Sequence, residues 1–178
     1  MQARDVKNNQ QARQIVEQRG LSHIKVGVFD IDGVLRGKYM SKEKFFSALE
    51  NGFGFCDVVL GWDVKDQLYD NAKYTGWHTG YPDATLQILA ESCRELPLDC
   101  AQKNNAENNS KNNMLFFLAE FSGGAQAICP RNVLRKVIKK AQEMGIEIFS
   151  GFEYEFFVFN ETAQTVREKN YQNLQPLT

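Results

Sequence analysis

The chain has 178 residues, 43% of them hydrophobic and 24% charged. That is enough to fill a core and solvate a surface, and it bounds the protein to one ordinary domain or a small domain plus part of another. With 21 Lys and Arg against 22 Asp and Glu, the net charge of -1 excludes a broad attraction to nucleic acid or anionic membrane.

The N-terminus, MQARDVKNNQQARQIVEQRG, is too polar for a secretory signal, and no apolar run is long enough to span a bilayer. A cytoplasmic protein is expected. Cys56, Cys93, Cys100 and Cys129 form no C-x-x-C pair and have no histidine at zinc-site spacing, so free thiols are expected.

Gln10 to Arg19 reads as a short helix with Ile15 and Val16 on its apolar side, stopped by Gly20. His23 to Ile31 is β-rich, and Asp32-Gly33 is a preferred two-residue hairpin turn leading into Val34 to Met40. Ser41 is an N-cap signal for a helix over Lys42 to Glu50, closed by Asn51-Gly52. Asp57 to Trp62 and Thr85 to Leu89 read as strands, separated by a long aromatic loop over Tyr69 to Tyr81.

The stretch QKNNAENNSKNN, residues 102–113, has no apolar residue apart from Ala106 and reads as a flexible linker. Leu115 to Phe121 is a strongly apolar strand. Pro130 opens a helix in which Val133, Leu134, Val137, Ile138 and Ala141 recur at helical spacing until Gly145. Ile146 to Phe159 reads as a long strand region.

Two motifs carry chemistry. The first, VFDIDGVL from Val28 to Leu35, resembles the D-x-D-G-(T/V)-L strand end of haloacid-dehalogenase-type phosphatases, in which Asp30 would be the nucleophile. That family also needs a downstream acidic pair such as D-D or G-D-x-x-x-D, and neither pattern occurs here. The alternative is that Asp32 occupies a turn and Asp30 solvates a hairpin end.

The second motif is Gly151 to Phe159, GFEYEFFVF. In a strand, Glu153 and Glu155 share a face, with their Cα atoms roughly 6.5 to 7 Å apart by strand rise. Their aromatic neighbours place them near a core, where two carboxylates require compensating cations. Hard divalent ions with oxygen ligands meet that need. The same alternation also fits a solvent-facing strand that holds two glutamates, and spacing alone leaves both readings open.

FEYEFFVF resembles the E-x-E-F-F strand of the glutamine synthetase family, and DIDGVLRGK, Asp30 to Lys38, resembles that family's D-x-x-G-x-x-R-G-K hairpin. Gly61-Trp62, Pro82-Asp83 and Cys129-Pro130-Arg131 follow in the same order. The resemblance implies an α+β fold: a β-grasp-like N-terminal domain over residues 1–101, the linker over 102–113, and over 114–178 the first helix and strands of a glutamine synthetase-type catalytic domain.

It further implies an ATP-dependent ligase joining ammonia or an amine to the γ-carboxylate of glutamate through a γ-glutamyl phosphate. Two Mg2+ or Mn2+ ions would sit beside ATP. Glu155 would serve the ion nearest glutamate, and Glu153 the ion bridging the nucleotide phosphates.

Tyr154 stands where typical members have proline, and F-C-D-V-V-L-G-W replaces the D-G-S-S segment that helps recruit ammonium. Asp57 is then the candidate substrate-binding residue, and a γ-glutamyl-amine ligase is implied. A homo-oligomer is implied as well. The chain stops before the family's further glutamates, its histidine ligand and its arginines, and His23 and His78 precede the metal strand. A catalytically incomplete fragment is therefore expected, or a non-catalytic truncated subunit that acts by assembly.

Overall fold

The computed structural model describes residues 1–100 and 113–177, so most of the Asn-rich stretch lies outside the described residues. The chain divides into two compact units, Met1–Met144 and Gly145–Thr178.

In the first unit, helix α1 (Asn9–Gln18) is capped by Asn8, whose side chain accepts the Gln11 N–H, and it buries Ala12, Ile15 and Val16. Gly20 takes the left-handed conformation that ends it, at φ 62. Strands β1 (His23–Phe29) and β2 (Leu35–Ser41) form the expected antiparallel hairpin, pairing Phe29 with Leu35 and Gly27 with Gly37.

The turn differs from the two-residue form. Asp30 N–H donates to the Val34 carbonyl and Gly33 N–H to the Asp30 carbonyl, with Gly33 at φ 81. This is a three-residue loop, a type I turn followed by a left-handed glycine. Asp30 decides the difference, because its own carboxylate satisfies the backbone of the longer loop.

Helix α2 (Lys42–Asn51) starts at Ser41, whose hydroxyl accepts the Lys44 N–H, and ends at Gly52, φ 71. Its Phe45, Ala48 and Leu49 are buried, and the Phe45 ring lies 4.8 Å from that of Phe117. Strands β3 (Phe53–Cys56), β4 (Asp83–Cys100) and β5 (Asn113–Phe121) complete a sheet of order β2-β1-β5-β4-β3, with β1 parallel to β5 and the other pairs antiparallel.

The division read from the sequence assigns residues 114–121 to the downstream region, yet β5 is the central strand of this sheet. Its Leu115, Phe117, Ala119 and Phe121 are all buried, which suits a strand with neighbours on both sides. The sheet curls. Lys38 of β2 places its Nζ 5.6 Å from the Phe53 ring and 4.9 Å from the Phe55 ring of β3, although β2 and β3 are its two opposite edges.

Asp57 to Leu60 is a 3-10 turn, where a strand is expected from the sequence. Apolar content alone does not separate a strand from a turn buried against a core, and Asp57, Val59 and Leu60 are all buried here. Helix α3 (Pro130–Glu143) starts at Pro130 as expected, and Gly145 at φ 76 follows it. It buries no residue, however: Val133, Leu134, Val137 and Ile138 are exposed.

In the second unit, residues 146–158 contain no assigned strand. Phe149, Phe152, Tyr154, Phe156 and Phe157 are each more than three-quarters exposed, against the expectation of a core position. Alternation predicts which residues share a face. It does not provide the neighbouring strand that would cover that face.

The ordered part of this unit is built on Glu161. Its carboxylate accepts from Thr165 Oγ1, Lys169 Nζ and the Gln175 N–H, beside a Thr162–Thr165 capping box that opens helix α4 (Ala163–Glu168). Lys169 first, then Thr165 and Gln175, hold the Glu161 carboxyl down from 4.5 to about 2.

A folded value below the unfolded one means that the contribution is complete above about pH 4.5 and is lost as pH falls towards 2. The amide NMR signals of Thr165 and Gln175 are expected to move through that window in the wild type. In Glu161→Gln they should be displaced already at neutral pH and show no such transition. A Glu161→Gln profile that superimposes on the wild type would show that this carboxylate does not order the turn.

Candidate active-site segments

The Asp30 carboxylate is fully buried. Its Oδ1 accepts the N–H groups of Asp32 (3.0 Å) and Val34 (2.8 Å), and its Oδ2 accepts Arg36 Nε at 2.8 Å. Both oxygens are used in holding the hairpin, so the phosphatase reading of Asp30 is not supported: a nucleophile needs an accessible lone pair. Arg36 continues the network. Its Nη2 lies 2.8 Å from Asp66 Oδ1, and its guanidinium lies 5.1 Å from the Trp62 ring centroid.

Asp57 follows β3 at the start of the 3-10 turn and is 3% exposed. Its N–H donates to the Pro82 carbonyl, and its Oδ1 accepts Thr75 Oγ1 at 2.6 Å. None of the ion pairs among the described residues involves Asp57. The Asp57 side chain thus has a neutral hydroxyl as its partner, whereas Asp30 has the Arg36 guanidinium. The Tyr74 phenol is pushed up by burial first and by the Asp57 charge second. Nothing in the sequence marks Thr75, because it reaches Asp57 only through the path of the loop.

Glu153 and Glu155 lie exposed in the second unit. Among the described residues, no group of three His, Cys, Asp or Glu side chains is placed to hold a metal ion. His78 contacts the Lys73 carbonyl and His23 contacts Ser22, and both are exposed. Cys93 and Cys129 are buried free thiols and Cys56 is half-buried, with burial pushing the Cys93 thiol up to about 12. No helix among the described residues is long and apolar enough to cross a membrane.

Residues 127–177 match the family described as "Glutamine synthetase, catalytic domain", a span that contains α3, Glu153 and Glu155. The chain is 39% identical over 158 residues to Type-1 glutamine synthetase 2 of Dictyostelium discoideum, covering 87% of this chain and 28% of that protein. It is 31% identical over 166 residues to a glutamate–isopropylamine ligase of Pseudomonas sp, covering 93% of this chain and 34% of that one. A cryo-EM structure of Plasmodium falciparum glutamine synthetase shares the fold with a TM-score of 0.50 at 13% identity, over 78% of this chain and 23% of the other.

The fold is the α+β class expected, with a curled five-stranded sheet. Over most of its length the chain is similar to proteins named as a glutamine synthetase and a glutamate ligase, and it spans about a third of the length of these curated relatives.

Proposed function

We propose that this chain is part of an ATP-dependent ligase that joins ammonia or an amine to the γ-carboxylate of glutamate through a γ-glutamyl phosphate. The 39% identity to Type-1 glutamine synthetase 2 carries this reading, and the catalytic-domain match across Glu153 and Glu155 supports it. Residues up to Phe121 form the β-grasp-like part, and the catalytic part starts with the 3-10 turn Gly123–Ala127 and α3.

Asp57 is the substrate-facing carboxylate, because a buried anion without a cationic partner is suited to an ammonium or alkylammonium group. Glu153 and Glu155 would hold Mg2+ or Mn2+. Their oxygens are the hard donors such ions take, and with two side chains water completes the coordination. The ions, when bound, offset charge on the transferring phosphoryl group.

In calorimetry, the chain is expected to bind Mn2+ weakly and to lose that binding in the Glu153→Ala/Glu155→Ala double variant. Identical isotherms would overturn the metal assignment.

A second reading, a non-catalytic subunit acting by assembly with itself or a longer homologue, is favoured by the uncovered apolar residues Leu134, Val137, Phe152 and Phe157. Co-purification with a full-length homologue distinguishes it: a chain that stays strictly monomeric in its presence counts against assembly.

A further inference from the structure

Thr75 reaches Asp57 across 18 residues of chain, at the base of a loop whose two ends close on the same place. Tyr69 N–H donates to the Gly61 carbonyl, Cys56 Sγ to the Tyr81 carbonyl at 3.4 Å, and Asp57 N–H to the Pro82 carbonyl. Gly61 makes the approach possible, since a Cβ there would lie 2.7 Å from Thr75 Cγ2. Thr75 is 1% exposed, while Trp77, two residues on, is 83% exposed. The loop thus buries one polar side chain against Asp57 and leaves its tip in solvent.

We infer that Thr75 is a positioning residue for Asp57, orienting the carboxylate so that its second oxygen is left for the ammonium group of the nitrogen substrate. The inference rests on the reading of Asp57 given above and adds to it the residue that sets its geometry. Chemistry favours a hydroxyl in this role. A lysine or arginine at the same place would neutralise the carboxylate and occupy the space a cationic substrate needs, as Arg36 does for Asp30. A threonine donates one hydrogen bond and leaves the charge in place. Among the described residues, no other hydrogen bond to the Asp57 side chain competes with it.

The test is an NMR titration of the 178-residue chain with ammonium chloride against potassium chloride at equal ionic strength, following the backbone amide signals of residues 57 and 75, which every variant retains. Wild type should show an ammonium-specific shift, and Asp57→Asn should show none. Thr75→Val keeps the shape without the donor and should weaken the ammonium response by about tenfold, the scale of one hydrogen bond to a charged group. Thr75→Ser should restore it.

If Thr75→Val matches the wild type while Asp57→Asn loses the response, the role of Thr75 is overturned and the reading of Asp57 stands. If the wild type shows no ammonium-specific shift, both fall. Thermal melts accompany each variant. Should Thr75→Val unfold, Thr75→Ala against Thr75→Ser provides the same comparison, and equal ammonium responses in those two would overturn the inference.

Discussion

Replacing Asp30 with alanine is expected to destabilise the N-terminal unit by about 3 to 5 kcal/mol, the range for removing one partner of a buried ion pair. Three donors lose their acceptor together: the N–H groups of Asp32 and Val34 and the guanidinium of Arg36. Arg36 keeps Asp66 at 2.8 Å and is not stranded, which argues for the lower end. The turn also loses the loop it docks on, because Ile31 N–H donates to the Val59 carbonyl and Asp32 accepts from the Val64 N–H and the Tyr69 hydroxyl. Asp30→Asn keeps an acceptor for the backbone and should fall between the two. Urea unfolding measures the series, and an Asp30→Ala midpoint equal to the wild type would refute the structural role assigned here.

What the sequence revealed depended on whether the information was local. Caps and stops lie within a few residues of what they govern, so α1, α2 and α3 were predicted within about two residues of their observed ends. The central place of β5 was not legible, because strand order is a long-range property and an intervening Asn-rich stretch reads as a boundary.

At the candidate site the pattern is the same. The spacing of Glu153 and Glu155 leaves a metal site and a solvent-facing strand equally open, and only the family resemblance makes them, and Asp57, candidates. Thr75 was invisible: its importance is a contact made by a loop whose path no periodicity encodes. The burial expected around Glu153 depended on neighbouring strands, which the alternation of one strand cannot supply.

Gly37→Ala is expected to cost about 3 kcal/mol, at the upper end for inserting a methyl group where the surroundings cannot move. A Cβ on Gly37 would lie 2.3 Å from the Val26 carbonyl oxygen and 3.1 Å from the Gly27 Cα, both backbone atoms of the paired strand. Relief requires β1 and β2 to separate, and the residues on either side of Gly37 resist that separation: Arg36 is tied to Asp30 and Asp66, and Lys38 lies over Phe53 and Phe55.

The R-G-K triplet thus joins two cations on the inner side of the hairpin to a glycine that lets the strands meet. Gly27→Ala is the control. Its Cβ would meet Leu35 Cδ1 at 2.8 Å and the Phe116 ring at 3.0 Å, and these are side-chain atoms that can turn aside. It should cost about 1 kcal/mol. Urea midpoints for the two variants decide the matter: Gly27→Ala destabilising as much as Gly37→Ala would mean that the whole face is tight, and that the close backbone approach at Gly37 is not the reason for its glycine.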